Sequence, residues 1–197
     1  MTADHPAEPA ATTVSPWNLP NALTVLRIIL VPIFAWMLLA HPDDVVWRIV
    51  TTLVFAAAIG TDSIDGHLAR KYNLITSFGK LADPIADKAL TGMAFIGLSI
   101  IGELWWWVTI VILVREWGIT IMRFVMLRYG VMAAGRGGKI KTVVQSAALI
   151  IALLPLPGWA LPISWTVMGA ALILTVITGV DYVLEARRVR AAGRSPA

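Results

Sequence analysis

Long apolar runs recur along this chain of 197 residues and limit what it can fold into. Runs of about 18 residues or more are long enough to cross a hydrocarbon core of roughly 30 Å as a helix. Hydrophobic residues make up 58% of the chain and charged residues only 14%, with a mean hydropathy of +0.77. That balance is far more apolar than in an ordinary water-soluble domain. The sequence therefore predicts an all-α integral membrane protein.

The apolar pattern fits six transmembrane helices. The predicted spans run from Ala22 to Leu39, Val45 to Ile64, Lys80 to Ile101, Leu104 to Tyr129, Lys141 to Leu156 and Leu161 to Leu184. Before the first span, Pro20, Asn21 and Thr24 are helix-start signals, and Trp17 is placed to lie at the membrane interface. We therefore expect a short N-terminal amphipathic helix ahead of the first span.

Three parts of unequal length make up the predicted domain organisation. Residues 1–16 are rich in Pro, Ala and Thr and contain no Lys or Arg, so they lack the basic start of a secretory signal and predict a disordered cytosolic tail. Residues 17–187 form one membrane domain, because no linker divides them. Residues 188–197 form a basic cytosolic C-terminal tail.

Among the connections between the spans, only alternate ones contain basic residues. They are Arg70, Lys71 and Lys80 in the first such connection, Arg136 and Lys139 in the second, and Arg187, Arg188, Arg190 and Arg194 after the last span. The other connections, around Pro42, Glu103 and Trp159, contain no Lys or Arg and lie near tryptophans, as in an aromatic belt. This asymmetry predicts a multi-pass plasma-membrane protein with both termini in the cytosol. The net charge of +4 is then explained by topology and anionic lipids, so no nucleic-acid partner is expected.

Four aspartates gather where the second span ends and the third begins. Asp62 and Asp65 are three residues apart and Asp83 and Asp87 are four apart, so each pair can share one helix face. Uncompensated carboxylates near a low-dielectric membrane repel one another and lose hydration. A divalent cation removes this conflict, and oxygen ligands in a chain without cysteine favour Mg²⁺ or Mn²⁺ over zinc. A helix cap at Asp83 followed by Pro84 is the plainer alternative, which explains one aspartate but not four.

Residues 62–87 resemble the signature of the CDP-alcohol phosphotransferases, D-x2-D-G-x2-A-R-x8-G-x3-D-x3-D, with every spacing intact. The matching residues are Asp62, Asp65, Gly66, Ala69, Arg70, Gly79, Asp83 and Asp87. The resemblance implies six-helix dimers with a cytosol-facing site, in which the signature binds two divalent metal ions and the diphosphate of a CDP-linked lipid. It also implies that an acceptor alcohol attacks the β-phosphorus of that lipid and that CMP leaves.

The resemblance implies a role for each signature residue. All four aspartates are implied metal ligands, and Asp87 is in addition the proposed general base. The implied CDP-lipid contacts are Gly66 and Arg70, with Gly79, Thr76 and Ser77 as further candidates. The alternative for the two glycines is a turn or close helix packing, and Ser and Thr are common in any loop.

Two segments outside the signature contain polar residues that fit the same chemistry. In NLPNALTVLRI, the side chains of Asn21, Thr24 and Arg27 either approach the lipid diphosphate or cap and anchor a helix. In GRGGKIKTVVQ, flexible glycines and the cationic groups of Lys139 and Lys141 are suited to an anionic headgroup. The alternative for these lysines is ordinary positive charge on the cytosolic side.

The segment LVREWGITIMRF places charges inside the fourth span, where a lone charge costs at least about 2.5 to 3.5 kcal/mol. Such charges face a polar cavity or one another. Glu116 and Arg123 are seven residues apart, which permits a structural ion pair. Arg115 and Arg123 can instead bind the phosphate of an acceptor.

These three segments resemble the members of the family that use sn-glycerol 3-phosphate as the acceptor. The resemblance covers most of the chain except the tail, the outer connections and the sixth span. It implies that CDP-diacylglycerol and sn-glycerol 3-phosphate give phosphatidylglycerophosphate and CMP in phospholipid biosynthesis. Inositol phosphate and phosphatidylglycerol stay open as acceptors.

Two other classes of membrane protein also use aspartate clusters. Intramembrane prenyltransferases bind a prenyl diphosphate through Mg²⁺, but their aspartate motifs have other spacings. A divalent-cation transporter needs polar residues across several spans, whereas the outer halves of these spans are almost wholly apolar or aromatic.

Overall fold

The computed structural model describes the backbone of residues 19–71, 77–126 and 136–192. Within these ranges it does not describe the side chains of residues 19–20, 62–71, 77–81, 123–124, 126, 136–137 and 189–192. The described part is all-helical, as predicted. Its elements are α1 (Leu19–Ala40), α2 (Val45–Lys71), α3 (Ser77–Ile100), α4 (Trp106–Met126), α5 (Arg136–Leu153), a 3₁₀ turn (Gly158–Ala160) and α6 (Leu161–Ala192).

Several helices are longer than the apolar runs that predicted them. α2 continues past Ile64 to Lys71, α5 begins at Arg136 rather than Lys141, and α6 continues past Leu184 to Ala192. Hydropathy marks the part of a helix that is apolar, whereas the backbone hydrogen bonds continue into polar sequence. α6 thus includes part of the predicted C-terminal tail. The predicted N-terminal tail, the amphipathic helix and Trp17 lie outside the described residues.

The six helices pack around one apolar core. α1 lies against α2 and α3, and α6 lies against α4 and α5. The two groups are joined because α2 contacts α5, and α3 contacts both α4 and α5. The largest fully buried apolar side chains are Phe34, Leu38, Phe55, Leu90, Phe95, Leu98, Ile112, Leu149 and Leu153. Gly97 sets the approach of α1 to α3, because a Cβ atom there would lie 2.5 Å from Cδ2 of Leu38.

The buried faces of α1 and α5 are polar at the start of each helix and apolar further on. On α1 the buried polar residues Asn21, Thr24 and Arg27 precede Phe34 and Leu38. On α5, Lys141 and Gln145 precede Ala148, Leu149 and Leu153 in the same way. We call this end of the bundle, where α1, α3 and α5 begin and α2, α4 and α6 end, the polar end.

A buried arginine ties the connections together at the opposite end. Arg48 is 3% exposed and forms a two-pronged ion pair with Glu103, with N to O distances of 2.6 and 2.7 Å. Its guanidinium also donates to the carbonyl oxygens of Pro42, Ala152 and Leu153. Arg48 therefore binds the α1–α2 connection, the α3–α4 connection and the end of α5. Sequence inspection of the connections missed it because it lies inside α2.

The outer surface of the bundle is apolar on every helix. Large exposed side chains include Ile29 on α1, Leu53 on α2, Ile100 on α3, Val114 on α4, Val143 on α5 and Ile173 on α6. A water-soluble monomer rarely exposes so much contiguous apolar surface, whereas a lipid-facing bundle does. Within the described residues, two segments, Asn21–Ala40 and Gly158–Arg188, are long and apolar enough to cross a membrane. The chain has the surface of a membrane protein.

Aromatic side chains cluster at the end opposite the polar end. Trp36, His41 and Trp47 contact one another, with His41 stacked on Trp47 at 4.4 Å between ring centroids. Trp105, Trp107, Trp159 and Trp165 are all more than half exposed there. Their position agrees with the aromatic belt expected at a membrane interface.

The close approach of α1 to α3 gives a stability prediction for Gly97→Ala. Overpacking against Leu38 costs about 1 to 3 kcal/mol, which exceeds the helix-propensity gain of about 0.5 to 1 kcal/mol. We expect a lower thermal unfolding midpoint in detergent. Gly169→Ala is the matched control, because a Cβ at this helical glycine meets no atom within 4 Å. Equal midpoints for the two variants would contradict the packing argument.

Candidate active site

The contact between α1 and α3 positions the first candidate metal ligand. The hydroxyl of Thr24 on α1 donates a short hydrogen bond to Oδ1 of Asp83 on α3. Thr24 is buried and Asp83 is partly buried. α1 begins at Leu19 and α3 at Ser77, so neither Thr24 nor Asp83 is a helix cap. The cap alternatives for these two residues are wrong, because both lie inside their helices.

Asp87 lies one turn after Asp83 on α3 and is also partly buried. The hydroxyl of Thr91 donates to the backbone carbonyl of Asp87 at 2.9 Å. Positions four apart on a helix share a face, so the two aspartates are neighbours at the polar end. Oxygen ligands of this kind suit a hard divalent cation. The described half of the aspartate quartet fits a metal site by its donor chemistry.

The other signature residues are described only in part. Asp62, Asp65, Gly66 and Arg70 lie in the last turns of α2, and Ser77 and Gly79 lie in the first turn of α3, but their side chains are outside the described part. Thr76 lies outside the described residues altogether. The convergence of all four carboxylates therefore stays a prediction. α2 ends and α3 begins at the same end of the bundle, as that prediction requires.

A carboxylate on α4 is bound by three cations, one of which is Lys88, the residue after Asp87 on α3. Oε1 of Glu116 on α4 accepts hydrogen bonds from Nη1 of Arg115 at 2.9 Å and from Nζ of Lys141 on α5. Nζ of Lys88 on α3 donates to Oε2 of Glu116 at 3.1 Å and to its backbone carbonyl at 3.2 Å. We call Lys88, Arg115, Glu116 and Lys141 the basic cluster. Three cations and one anion give it a net charge of +2.

All four members of the basic cluster are largely shielded from solvent. The exposed fractions of the side chains are 16% for Lys88, 12% for Arg115, 14% for Glu116 and 5% for Lys141. Arg115 is also bound to α6, because Nε donates to the carbonyl of Thr175 at 3.1 Å and Nη2 donates to the hydroxyl of Thr178 at 2.7 Å. A net positive charge in so shielded a place is suited to an anionic ligand.

The structure brings together only some of the residues predicted to bind the acceptor phosphate. Arg115 and Lys141 belong to the basic cluster, whereas Lys139 is exposed on another face of α5. The side chain of Arg123 lies outside the described part. The expectation of a flexible glycine loop before Lys141 is wrong, because α5 already begins at Arg136.

Gly138 permits close packing rather than flexibility. A Cβ atom at this position would lie 2.9 Å from the hydroxyl oxygen of Tyr182 on α6. The ring of Tyr182 also lies 5.8 Å below the guanidinium carbon of Arg115, within cation–π range. The start of α5, α6 and the basic cluster are therefore packed as one unit.

Gln145 extends the buried polar face of α5 beyond Lys141. It is 5% exposed and lies one helical turn from Lys141. Within the described part of the chain, its Oε1 atom has no hydrogen-bond partner. A buried acceptor without a donor is costly, so this oxygen is available to a ligand hydroxyl.

Sequence reasoning missed Lys88 and the partners of Glu116. Lys88 follows Asp87 directly, and a lysine beside an aspartate on a helix is a common surface pattern with no functional signal of its own. The spacing along α4 permits an ion pair of Glu116 with Arg123, whose side chain lies outside the described part. The described partners include Lys88 and Lys141, which are 28 and 25 residues away. The cost of a lone charge in a membrane was the signal that such partners exist.

Comparison with known proteins gives a family match over most of the chain. The family model for CDP-alcohol phosphatidyltransferase matches residues 17–177. The match includes the aspartate pair on α3, the end of α2 and the whole basic cluster. It leaves out residues 1–16 and 178–197, which include the last part of α6.

Three relatives illustrate the range of similarity. "Probable phosphatidylglycerophosphate synthase" of Mycobacterium tuberculosis (strain ATCC 25618 / H37Rv) is 49% identical over 174 residues, covering 87% of this chain and 82% of the relative. "CDP-diacylglycerol–glycerol-3-phosphate 3-phosphatidyltransferase" of Bacillus subtilis (strain 168) is 38% identical over 180 residues, covering 84% and 93%. The protein with the same name in Shigella flexneri serotype 5b (strain 8401) is 33% identical over 180 residues, covering 87% and 96%.

Proposed function

Because the chain belongs to the CDP-alcohol phosphatidyltransferase family, we propose that it transfers the phosphatidyl group of CDP-diacylglycerol to sn-glycerol 3-phosphate. The products are phosphatidylglycerophosphate and CMP, and the reaction belongs to phospholipid biosynthesis. Relatives named for this reaction support the assignment. The observation that carries it is that Lys88, a member of the basic cluster, directly follows Asp87 on α3. This neighbourhood supports a phosphate-binding surface beside the proposed metal site.

The metal and the CDP-lipid occupy the aspartate side of the site. Members of this family generally depend on a divalent metal, and we assign two ions, Mg²⁺ or Mn²⁺, to Asp62, Asp65, Asp83 and Asp87. The bound metal stabilises the charge of the diphosphate and of the leaving oxygen. Thr24 orients Asp83 by its hydrogen bond to Oδ1. Candidate contacts for the CDP-lipid are Asn21, Thr24, Gly66, Arg70, Thr76, Ser77 and Gly79.

The acceptor occupies the side of the basic cluster. The phosphate of sn-glycerol 3-phosphate carries nearly two negative charges at neutral pH, which compensates the cluster's net charge of +2. Charge-assisted hydrogen bonds from Arg115 and Lys141 hold the phosphate. Oε1 of Gln145 accepts a hydrogen bond from a hydroxyl of the glycerol. Arg123 and Lys139 stay candidates for the approach of the acceptor.

The reaction forms one P–O bond and breaks another. The primary hydroxyl oxygen of the acceptor attacks the β-phosphorus, and the P–O bond to the α-phosphate of CMP breaks. The carboxylate of Asp87 takes the hydroxyl proton. Positioning of the two substrates by opposite sides of one site supplies the geometry of in-line attack.

The membrane placement follows from the charge asymmetry of the sequence. We assign six transmembrane spans, with the polar end and both termini at the cytosolic side of the plasma membrane. The water-soluble acceptor then reaches the basic cluster from the cytosol, and the lipid substrate arrives from the bilayer. We also expect a homodimer, as in the family that the signature resembles.

The bond from Thr24 to Asp83 gives a prediction for metal affinity. Thr24→Val keeps the shape of the side chain and removes the hydroxyl, so Asp83 loses its orientation. We expect the Mg²⁺ or Mn²⁺ concentration for half-maximal CMP release to rise about tenfold or more, because loss of a partner that supports a metal ligand typically lowers metal affinity by about 10- to 100-fold. Thr91→Val is the matched control, because its hydroxyl binds a backbone carbonyl and not a carboxylate. The same metal requirement in both variants would refute the role of Thr24.

The general base is tested with Asp87→Asn at saturating metal. Removing a general base lowers the rate by about 10²- to 10⁴-fold. We expect kcat for CMP release to fall in this range. Asp43→Asn, at the opposite end of the bundle, should keep the wild-type rate. Unchanged release from Asp87→Asn would eliminate Asp87 as the base.

The acceptor is tested by supplying purified protein with CDP-diacylglycerol, Mg²⁺ and one alcohol at a time. We expect CMP release with sn-glycerol 3-phosphate because its phosphate matches the charge of the basic cluster. Inositol phosphate, phosphatidylglycerol and a reaction without acceptor are the comparisons. Release with inositol phosphate but not with sn-glycerol 3-phosphate would overturn the assignment of the acceptor.

A further inference from the structure

The carboxylate of Glu116 lies where α3, α4 and α5 meet at the polar end. It accepts hydrogen bonds from Lys88 of α3, from its neighbour Arg115 on α4 and from Lys141 of α5. Two of these cations share one oxygen atom, Oε1, and are therefore near neighbours. Without an anion between them they would repel one another in a place that is largely shielded from water.

One anion does not neutralise three cations. The basic cluster has a net charge of +2, and each of its side chains is at most 16% exposed. An ion pair that served only the stability of the fold would need one cation for Glu116. The two additional charges are costly in the protein alone, and a bound dianion removes that cost.

Binding of a dianion does not require Glu116 to leave the basic cluster. An ammonium group has three donors. In the described part of the chain, Lys141 uses one hydrogen bond and Lys88 uses two, all to Glu116. Each lysine keeps at least one N–H for a ligand. Glu116 can therefore hold both ammonium groups in place while they bind a phosphate.

We propose that Glu116 is a positioning residue for the acceptor phosphate and that Lys88 contacts this phosphate together with Lys141. The inference rests on the proposed function, since it concerns the acceptor side of the same site. Glu116 acts through the lysines and does not touch the substrate. Lys88 links the two sides, because it follows the proposed base Asp87 on α3.

The test compares steady-state kinetics of Glu116→Gln and wild-type protein with both substrates varied. Gln keeps the shape of the side chain and removes the charge, so the three cations lose their common anion. We expect KM for sn-glycerol 3-phosphate to rise about tenfold or more, while kcat and KM for CDP-diacylglycerol stay within about twofold. The inhibition constant of inorganic phosphate against sn-glycerol 3-phosphate should rise in parallel.

Glu116→Asp separates the charge of the carboxylate from its position. It keeps the charge but shortens the side chain, and it should give an intermediate KM. Glu116→Gln raises the net charge of the cluster from +2 to +3, so an effect of charge alone would tighten the binding of a phosphate dianion and lower KM. A lowered KM for sn-glycerol 3-phosphate in Glu116→Gln would therefore overturn the inference.

Glu103→Gln is the matched control for losing a carboxylate from an ion pair with arginine. Glu103 pairs with Arg48 at the opposite end, so this variant should have wild-type KM values whatever its thermal midpoint. A folded Glu116→Gln protein with unchanged KM for sn-glycerol 3-phosphate would refute the inference. A fall in kcat together with a rise in both KM values would also refute the inference if a lower thermal midpoint explains these changes. Absence of CMP release from wild-type protein with sn-glycerol 3-phosphate would instead refute the proposed function.

Discussion

The contact of α1 with α3 is the interaction on which the rest of the site depends. At the apolar end of this contact, Gly97 lets Leu38 approach the backbone of α3. At the polar end, the hydroxyl of Thr24 binds the carboxylate of Asp83. The register set by the apolar half fixes which residue of α1 faces the aspartates. A shift of one residue would turn Thr24 away from Asp83, because successive residues of a helix point about 100° apart.

Charge compensation explains how polar groups persist in a bundle with an apolar surface. Arg48 is buried at the end opposite the site, but its guanidinium is bound by Glu103 and three backbone carbonyls. The basic cluster differs, because Glu116 compensates only one of its three cations. The bundle thus has a balanced charge network where it needs only stability and an unbalanced one where an anion is expected to bind.

The sequence predicts the helices and the signature because both depend on neighbours along the chain. Apolar runs locate all six helices, and the spacing of Asp83 and Asp87 places them one turn apart. Contacts between helices do not follow from this periodicity. Spacing along one helix permits Arg123 as a partner of Glu116 but gives no sign of Lys88 and Lys141, which reach Glu116 from other helices. Arg48 and Glu103, 55 residues apart, escaped notice for the same reason.

The alternating direction of the helices gives the site its two-sided character. Odd-numbered helices begin at the polar end and even-numbered helices end there, so residues distant in sequence meet at one end of the bundle. α3 contributes to both sides, with Asp83 and Asp87 toward the proposed metal and Lys88 toward Glu116. In the proposed function, divalent ions compensate the aspartates on one side, and a phosphate dianion compensates the net charge of +2 of the basic cluster on the other. The basic cluster is therefore neutral only when the acceptor phosphate is bound, so this arrangement favours an acceptor side that is occupied over one that is open to water.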